Sequence, residues 1–179
     1  MKHISSIFVL CIATLFLNLT ACDGSNPEST PCASLTLDGL INAAGVSLRD
    51  LPITNIEEYF PIVCPIADVS AMRTFGLEDL GGPNLTFAEY DATLDRLVGY
   101  RRATLAELLV WAKEAWDGSG DILGCNSSRM VSDDGIRLIP LIVGIGGEGG
   151  QRVLAVDYDR PENHWDGTVG VKAFLVVRE

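Results

Sequence analysis

The order of the secondary-structure signals along the chain constrains its fold more than any other feature. Three Thr-x-x-Glu sequences begin at Thr54, Thr86 and Thr104. Each is typical of a capping box, in which the threonine and glutamate side chains bind free amides at the start of a helix. After Gly124 the pattern changes to β-branched and aliphatic runs separated by glycine-rich turns. Helical segments followed by strands indicate an α+β domain.

The last two capping boxes predict the main helical unit. Apolar residues follow each box at helical spacing, and Gly99 and Gly118 mark the expected helix ends. Because only a short Gly-Tyr-Arg-Arg turn separates the two helices, we expect a helical hairpin over about 86–117. A shorter helix is expected over about 35–44, ending at Gly45.

Three strands are expected in the last third of the chain, over about 136–145, 153–156 and 169–177. Pro140 interrupts the first of them, and a proline within a strand indicates an edge position or a bulge. The short or turn-like links favour an antiparallel meander. We therefore expect a helical first half that packs on a small antiparallel sheet formed by the last third.

The glycines between the first two predicted strands fit the pattern GxGxxG over residues 144–149. Such a motif binds a dinucleotide only where it opens a helix, because the helix N-terminus holds the pyrophosphate. Here a strand-like segment follows at once, from Gln151 to Val156. The glycines therefore predict a hairpin turn, and no nucleotide or other cofactor is expected.

The most polar stretch, residues 157–167, is the candidate ligand or partner loop. Its candidate residues are Asp157, Asp159, Glu162, His164, Trp165 and Asp166. Oxygen ligands at this density suit Ca²⁺, but the spacing does not match an EF-hand loop. His164 with Asp166 could belong to a catalytic triad, but no GxSxG sequence supports a nucleophile. A solvated loop, a metal site and a protein contact remain open, and no catalytic residue or metal is assigned.

The N-terminus has the composition of an export signal. Lys2 precedes an almost wholly apolar stretch from Ile4 to Leu19, and small residues follow at Thr20 and Ala21. A positive start, an apolar stretch and a small-residue cleavage site are typical of a secretory signal. At about 16–18 residues the stretch is at the short limit for spanning a bilayer, so an uncleaved anchor is the alternative.

The end of this signal, Leu19-Thr20-Ala21-Cys22, resembles the lipobox of bacterial lipoproteins. The resemblance implies cleavage between Ala21 and Cys22 and a diacylglyceryl group on the Cys22 thiol. It also implies attachment to a bacterial membrane at the cell envelope, with the folded part outside the cytoplasm. An ordinary secreted protein cut elsewhere is a further alternative. Asp23 favours the inner membrane in some lipoprotein systems.

The expected organisation has three parts. Residues 1–21 form a cleaved signal peptide, and residues 22–33 carry the lipidated cysteine and a spacer rich in Gly, Ser and Pro. Such a spacer has too few large apolar residues to offset its ordering entropy. Residues 34–179 are expected to form a single globular domain, a length sufficient for a real core.

The charge balance excludes one class of partner. The chain has 13 basic and 24 acidic residues, a net charge of −11, and removing Lys2 with the signal leaves about −12. Nucleic-acid binding is not expected, because phosphate binding needs a basic surface. The acidic surface could attract a basic protein, or it could serve solubility alone.

Five cysteines occur in the sequence, and two of them belong to the signal and its cleavage site. An exported chain can form a disulfide, and Cys64 with Cys125 is the preferred pair because both lie within the expected domain. Cys32 could instead tie the spacer to the domain, since three cysteines leave one over. None of them forms a CxxC pair, so redox and zinc chemistry are not predicted.

The C-terminal part resembles the SUKH superfamily. The resemblance rests on Ile139-Pro140, the glycine turn at 146–150, Leu154-Ala-Val-Asp157 and Gly167-Thr-Val-Gly-Val171. Many bacterial members of that family are immunity proteins that bind and block a toxin, so the resemblance implies an α+β domain without catalysis. The chain departs from the pattern because no Asn-Gly pair follows Leu51-Pro52, and the helical hairpin is outside it.

We therefore expect a membrane-anchored envelope lipoprotein that acts as a non-catalytic protein-binding or immunity-type module. An envelope hydrolase or metal-binding protein that uses the acidic 157–167 loop is one alternative. A structural envelope lipoprotein with no discrete ligand is the other.

Overall fold

The computed structural model describes residues 34–49, 55–116, 122–125, 129–130, 135–145, 151–160, 162 and 173–179. All of them belong to one compact unit, which spans Cys32–Glu179. In these ranges no helix has both the length and the apolar character needed to cross a membrane. The predicted signal, lipidation site and spacer lie outside the described residues.

The described chain alternates between helices and strands. The helices are α1 (Leu37–Ala43), α2 (Ile56–Tyr59), α3 (Phe87–Leu94) and α4 (Leu105–Glu114). The strands are β1 (Val46–Leu48), β2 (Met72–Gly76), β3 (Tyr100–Arg102), β4 (Ile122–Cys125), β5 (Arg129–Met130), β6 (Arg137–Ile145), β7 (Gln151–Asp159) and β8 (Ala173–Arg178). Two short 3-10 turns, Val69–Ala71 and Glu78–Leu80, flank β2. The predicted α+β class is confirmed.

The local helix signals are mostly confirmed. Complete capping boxes open α3 at Thr86 and α4 at Thr104. Gly45 follows α1 with φ of +62°, the left-handed conformation that ends many helices. The box predicted at Thr54 is not found at α2, because α2 begins at Ile56 with Asn55, not Thr54, as its N-cap and without a side-chain cap hydrogen bond.

The carboxylate of that third predicted box has another partner. Glu57 Oε1 accepts a hydrogen bond of 2.9 Å from the amide of Leu37, the first residue of α1. Glu57 therefore satisfies a free amide at the start of a different helix, 20 residues away in the sequence.

The eight strands in the described part of the chain form one mixed sheet, in the order β1-β7-β6-β4-β8-β2, with β3 added to β8 and β5 added to β6. Most neighbours are antiparallel, whereas β1 with β7 and β4 with β8 are parallel. The three longest strands come from the last third, as expected, but three strands from earlier in the chain also join. The expected meander is wrong at β8, which lies beside β4 and β2 rather than β7.

The sheet separates two hydrophobic cores. Successive strand residues point to opposite faces, so along β8 Leu175 and Val177 enter one core while Phe174 and Val176 enter the other. The first core lies on the α4 face, where α1 and α4 pack. The second lies on the α3 face, where α3 and the Glu78–Leu80 turn pack. Both faces of the sheet are therefore covered by helical layers.

The expected helical hairpin over 86–117 is wrong, because its two helices pack in different cores. The buried residues of α3 belong to one core and those of α4 to the other, so the two helices lie on opposite faces of the sheet. Between them Tyr100–Arg102 is not a turn but strand β3, which pairs with residues 176–178 of β8. The chain thus passes through the plane of the sheet between the two helices.

Pro140 lies in β6, which has paired strands on both sides. It is opposite Val156 of β7 on one side. On the other side β6 pairs with β4 through Leu141 and with β5 through Leu138, so Pro140 lies between these two ladders, where a residue without an amide hydrogen is suited. The edge position that the proline indicated is therefore wrong. The bulge stays a prediction, because the residues between β4 and β5 lie outside those that the structure describes.

Strand β7 is longer than the sequence pattern suggested. It begins at Gln151, so a strand rather than a helix follows the glycine turn, as predicted. It continues to Asp159, which is opposite Arg137 of β6. Asp157 and Asp159 are therefore strand residues and not part of a loop. Backbone pairing with β6 continues through both acidic residues.

Candidate functional site

The described sheet contains a fork between β6 and β8. At one end β4 lies between them and pairs with both. At the other end β3 occupies the place beside β8, opposite residues 176–178, and β5 occupies the place beside β6, opposite residues 137–138. No ladder joins β3 to β5 in the described ranges. Within the described ranges, backbone ladders connect the two branches only through β4 and β8.

One carboxylate on the α3 face joins the two branches. Asp91 of α3 is only 8% exposed. Its Oδ1 lies 2.6 Å from Arg102 Nη1, on the β3 branch, and its Oδ2 pairs with Arg137 Nη1, on the β6 branch. We call these three side chains the Asp91 cluster. The single carboxylate thereby links two strands that are not hydrogen-bonded to each other.

Further contacts hold both arginines of the Asp91 cluster. Arg102 Nη2 lies 2.5 Å from Asp95 Oδ1 and donates to the backbone carbonyl of Asp91 at 3.1 Å. The guanidinium of Arg137 lies 5.6 Å from the centre of the Phe87 ring, a cation–π geometry. With Asp95 the cluster contains two cations and two anions. These ion pairs connect α3 to both branches of the sheet.

A second buried carboxylate lies on the α4 face. Glu107 is 1% exposed, and both of its oxygens bind the guanidinium of Arg101, at 2.6 and 2.9 Å. The amides of Thr104 and Ala67 donate to it at 2.8 and 3.1 Å. Glu107 therefore completes the capping box of α4 and also anchors β3 and the segment before β2.

Opposing effects act on the pKa of Glu107. Burial raises the pKa, because it disfavours the charged form. Hydrogen bonds from Arg101, Thr104 and Ala67, together with the charge of Arg101, outweigh burial and hold the pKa below its ordinary value. Hydrogen bonding to Glu107 likewise raises the pKa of Arg101. The pair is charged in the folded protein at neutral pH.

The Arg101-Arg102 dipeptide supplies both of these sites. Neighbouring residues of a strand point to opposite faces, so Arg101 reaches Glu107 on the α4 face and Arg102 reaches Asp91 on the α3 face. Sequence reasoning missed both sites because it assigned this dipeptide to a turn. The available signal was the pair of adjacent cations between two predicted helices that each contain carboxylates.

Two more arginines are bound to backbone carbonyls. Arg152 of β7 donates to the carbonyl of Ala112 and that of Trp116, each at 2.5 Å, at the C-terminal end of α4. Arg73 of β2 donates to the carbonyls of Met72 and Ser70 at 2.7 and 3.1 Å. These positive charges are directed at the protein's own oxygen atoms.

The described surface is rich in carboxylates. The described acidic residues that are exposed are Asp38, Glu57, Glu58, Asp68, Glu78, Asp79, Glu89, Asp95, Glu114, Glu162 and Glu179. The described basic residues that are exposed are Arg49, Arg73, Arg96, Lys113, Arg160 and Arg178. Four arginines are half-buried, and three carboxylates are buried or half-buried, so burial changes this balance little. The exposed surface therefore carries about the same ratio of acidic to basic residues as the whole sequence.

The sequence-predicted ligand residues are not brought together in the described ranges. Asp157 is half-buried in β7, opposite Ile139, and Glu162 is exposed in a turn. Asp159 is described by its backbone, at the end of β7. His164, Trp165 and Asp166 lie outside the described residues, as do Ala21 and Cys22. Among the described residues, no group of three His, Cys, Asp or Glu side chains could hold a metal ion.

Cys64 forms a disulfide. The side chains of Cys32 and Cys125 lie outside those that the structure describes, so the pairing of Cys64 with Cys125 stays a prediction. The bond ties the segment before β2 covalently to another part of the chain.

Comparisons with protein-family models, with curated proteins and with solved structures found no match to this chain. Its residues and their contacts therefore carry the functional inference.

Proposed function

We propose that this chain is an envelope lipoprotein whose folded part binds a basic protein partner without catalysing a reaction. The observation that carries the proposal is the distribution of charge in the described residues. Arg101, Arg102, Arg137 and Arg152 bind internal oxygen atoms, whereas most described carboxylates are exposed. A surface of one sign steers a partner of the opposite sign and accelerates association.

The N-terminal sequence and one disulfide support the envelope location. Leu19-Thr20-Ala21-Cys22 ends an apolar export signal, and lipid on Cys22 would attach the chain to a membrane that its negative charge does not favour. The disulfide at Cys64 suits an oxidising compartment, because thiols are kept reduced in the cytosol.

An immunity-type role is the more specific form of this proposal. The resemblance of residues 138–171 to the SUKH superfamily supports it, and a basic toxin is the partner that an acidic surface would bind most readily. The Asp91 and Glu107 sites contribute a rigid scaffold for such a surface, since each joins separate elements through ion pairs.

The anchor has a direct test. Cys22→Ala should abolish incorporation of labelled fatty acid into the full chain and leave the uncleaved precursor, because the lipidated thiol is required for processing in lipoproteins. Cys11→Ala, a change within the same signal, is the matched control and should be labelled and processed as the native chain is. Normal cleavage and membrane retention of Cys22→Ala would overturn the lipoprotein assignment.

The partner proposal is tested by neutralising exposed charges. The immobilised chain should capture a basic protein from envelope extract, and Asp38→Asn, Glu78→Gln and Glu114→Gln together should weaken capture about tenfold. Raising the salt concentration should have the same effect, because the Debye length falls to about 3 Å at 1 M salt. Quantitative immunoblotting or mass spectrometry of the eluate measures both effects.

The matched control removes three exposed positive charges instead. Arg49→Gln, Arg96→Gln and Arg178→Gln together should leave capture unchanged or increase it, since these changes make the surface more acidic. Equal loss of capture in both triple variants, or capture that salt does not affect, would show that the acidic surface does not recruit the partner. Failure to capture any basic protein would also count against the proposal.

A further inference from the structure

Strand β2 forms one edge of the described sheet, and its outer side pairs with no other described strand. The amide of Gly76 donates to Asp79 Oδ2 at 2.9 Å, so it is not available to the ladder with β8. Backbone groups alternate in direction along an antiparallel strand. Met72, Thr74 and Gly76 therefore turn their amides and carbonyls away from β8, towards the side on which β2 pairs with no described strand.

Side chains from the chain itself occupy both ends of this edge. The carbonyl of Met72 accepts a hydrogen bond of 2.7 Å from Arg73 Nη1. The amide of Gly76 is held by Asp79, as described above. We call Arg73 and Asp79 the edge caps. The amide of Met72 donates to the carbonyl of Val69. Of the other groups that face away from β8, the amide and carbonyl of Thr74 and the carbonyl of Gly76 have no partner in the described part of the chain.

The edge is geometrically suited to pairing with itself. A second copy of β2 placed antiparallel about a two-fold axis at Thr74 sets Met72 of each copy opposite Gly76 of the other. Such an interface is isologous, so every bond formed on one side is repeated on the other. Unpaired strand edges are templates for this kind of association, and proteins block them with charged side chains.

We propose that the edge caps keep β2 from pairing with β2 of a second copy of this chain. The key bond of the paired form runs from the Gly76 amide of one copy to the Met72 carbonyl of the other. Asp79 already accepts from the Gly76 amide, the donor of this bond, and Arg73 already donates to the Met72 carbonyl, its acceptor. Only the two bonds at Thr74 are available while the caps are in place, which is too few for a stable pair.

The two caps therefore act redundantly. Removing Arg73 alone frees the acceptor but leaves the donor bound to Asp79, and removing Asp79 alone does the reverse. We expect neither single variant to associate, whereas Arg73→Ala with Asp79→Ala should open both ends at once. This dependence on both changes distinguishes edge capping from a general effect of charge.

The net charge of −11 also separates copies, so the experiment is run at high salt to screen this repulsion. Thr74→Cys serves as the reporter in the full chain, because directly opposed residues of antiparallel strands lie at a distance that a disulfide can span. The fraction of disulfide-linked dimer is measured on non-reducing gels. With both caps removed it should rise at least about fivefold over the reporter alone.

The controls separate pairing from unfolding and from other cysteines. Arg96→Ala with Glu114→Ala makes the same change in charge at exposed positions outside β2 and should leave the dimer fraction at the level of the reporter alone. The double-cap variant without Thr74→Cys measures linkage through the native cysteines. Each variant must show a cooperative thermal transition, and Arg73→Met replaces Arg73→Ala if the alanine variant does not.

The outcomes decide the proposal in both directions. A large dimer fraction with both caps intact would show that they do not close the edge. Equal dimer fractions for the single and double variants would show that the caps do not act on one shared bond. A double variant no different from the reporter alone would overturn the proposal, whereas synergy between the two changes supports it.

Discussion

Replacing Glu107 by alanine should lower the free energy of unfolding by about 3 kcal/mol or more. The change removes five hydrogen bonds together: two from Arg101, those from the amide and the hydroxyl of Thr104, and one from the Ala67 amide. It leaves the Arg101 guanidinium without its carboxylate, although 37% exposure of that side chain moderates the cost. Chemical denaturation followed by tryptophan fluorescence measures the effect.

The sequence contains a close control for this variant. Glu89 is the same residue at the same position of the capping box of α3, but it is exposed. Glu89→Ala should cost about 1 kcal/mol, the usual value of a lost cap. A cost for Glu107→Ala no greater than that for Glu89→Ala would show that the pair with Arg101 contributes nothing beyond the local cap.

The contribution of Glu107 should depend on pH in a defined direction. Its pKa is lowered in the folded protein, so its charged form stabilises the fold. This stabilisation is fully present above the ordinary glutamate pKa of about 4.3 and is lost as pH falls through the lower folded value. The difference in unfolding free energy between the native chain and Glu107→Gln should therefore shrink as pH falls below about 4.

The second large effect is expected at the sheet fork. Asp91→Asn keeps the shape of the side chain but removes the charge that holds Arg102 and Arg137, and should cost about 3 kcal/mol. Because Asp91 joins the β3 and β6 branches, backbone amides over 100–102 and 137–139 should lose protection most. A loss of about 3 kcal/mol corresponds to roughly hundredfold faster amide exchange if the region opens locally.

Asp95→Asn is the matched control for Asp91. Asp95 lies on the same face and pairs with Arg102, but it is 64% exposed and contacts only the β3 branch. Its loss should cost less than about 1 kcal/mol, as for other exposed ion pairs. Hydrogen exchange read by mass spectrometry compares the two variants. Equal exchange at 137–139 in both would show that Asp91 does not hold the branches together.

The sequence predicted those features that depend on neighbouring residues. The capping boxes at Thr86 and Thr104, the helix end at Gly45 and the strand after the glycine turn each involve groups within a few positions of one another. Such interactions form wherever the local pattern occurs, because the free backbone groups and their partners are already close.

Features that join distant residues were missed. The third predicted box is wrong, because Asn55 is the N-cap of α2, and Glu57 instead binds the Leu37 amide, 20 residues away. Tyr100–Arg102 became a strand because β8, at the end of the chain, offers it a ladder. In both cases a contact with a residue distant in the sequence outweighed the local pattern. Such a contact cannot be predicted from neighbouring residues.

The sequence by itself determined the α+β class, the starts of α3 and α4 and the excess of acidic residues. Only the tertiary structure decided that α3 and α4 lie on opposite faces of the sheet, and that Arg101 and Arg102 therefore bind different carboxylates. The physical reason is that hydrophobic periodicity specifies which side of a helix or strand is buried but does not specify the element against which that side packs. The partner is chosen by strand pairing, which joins residues far apart in the chain.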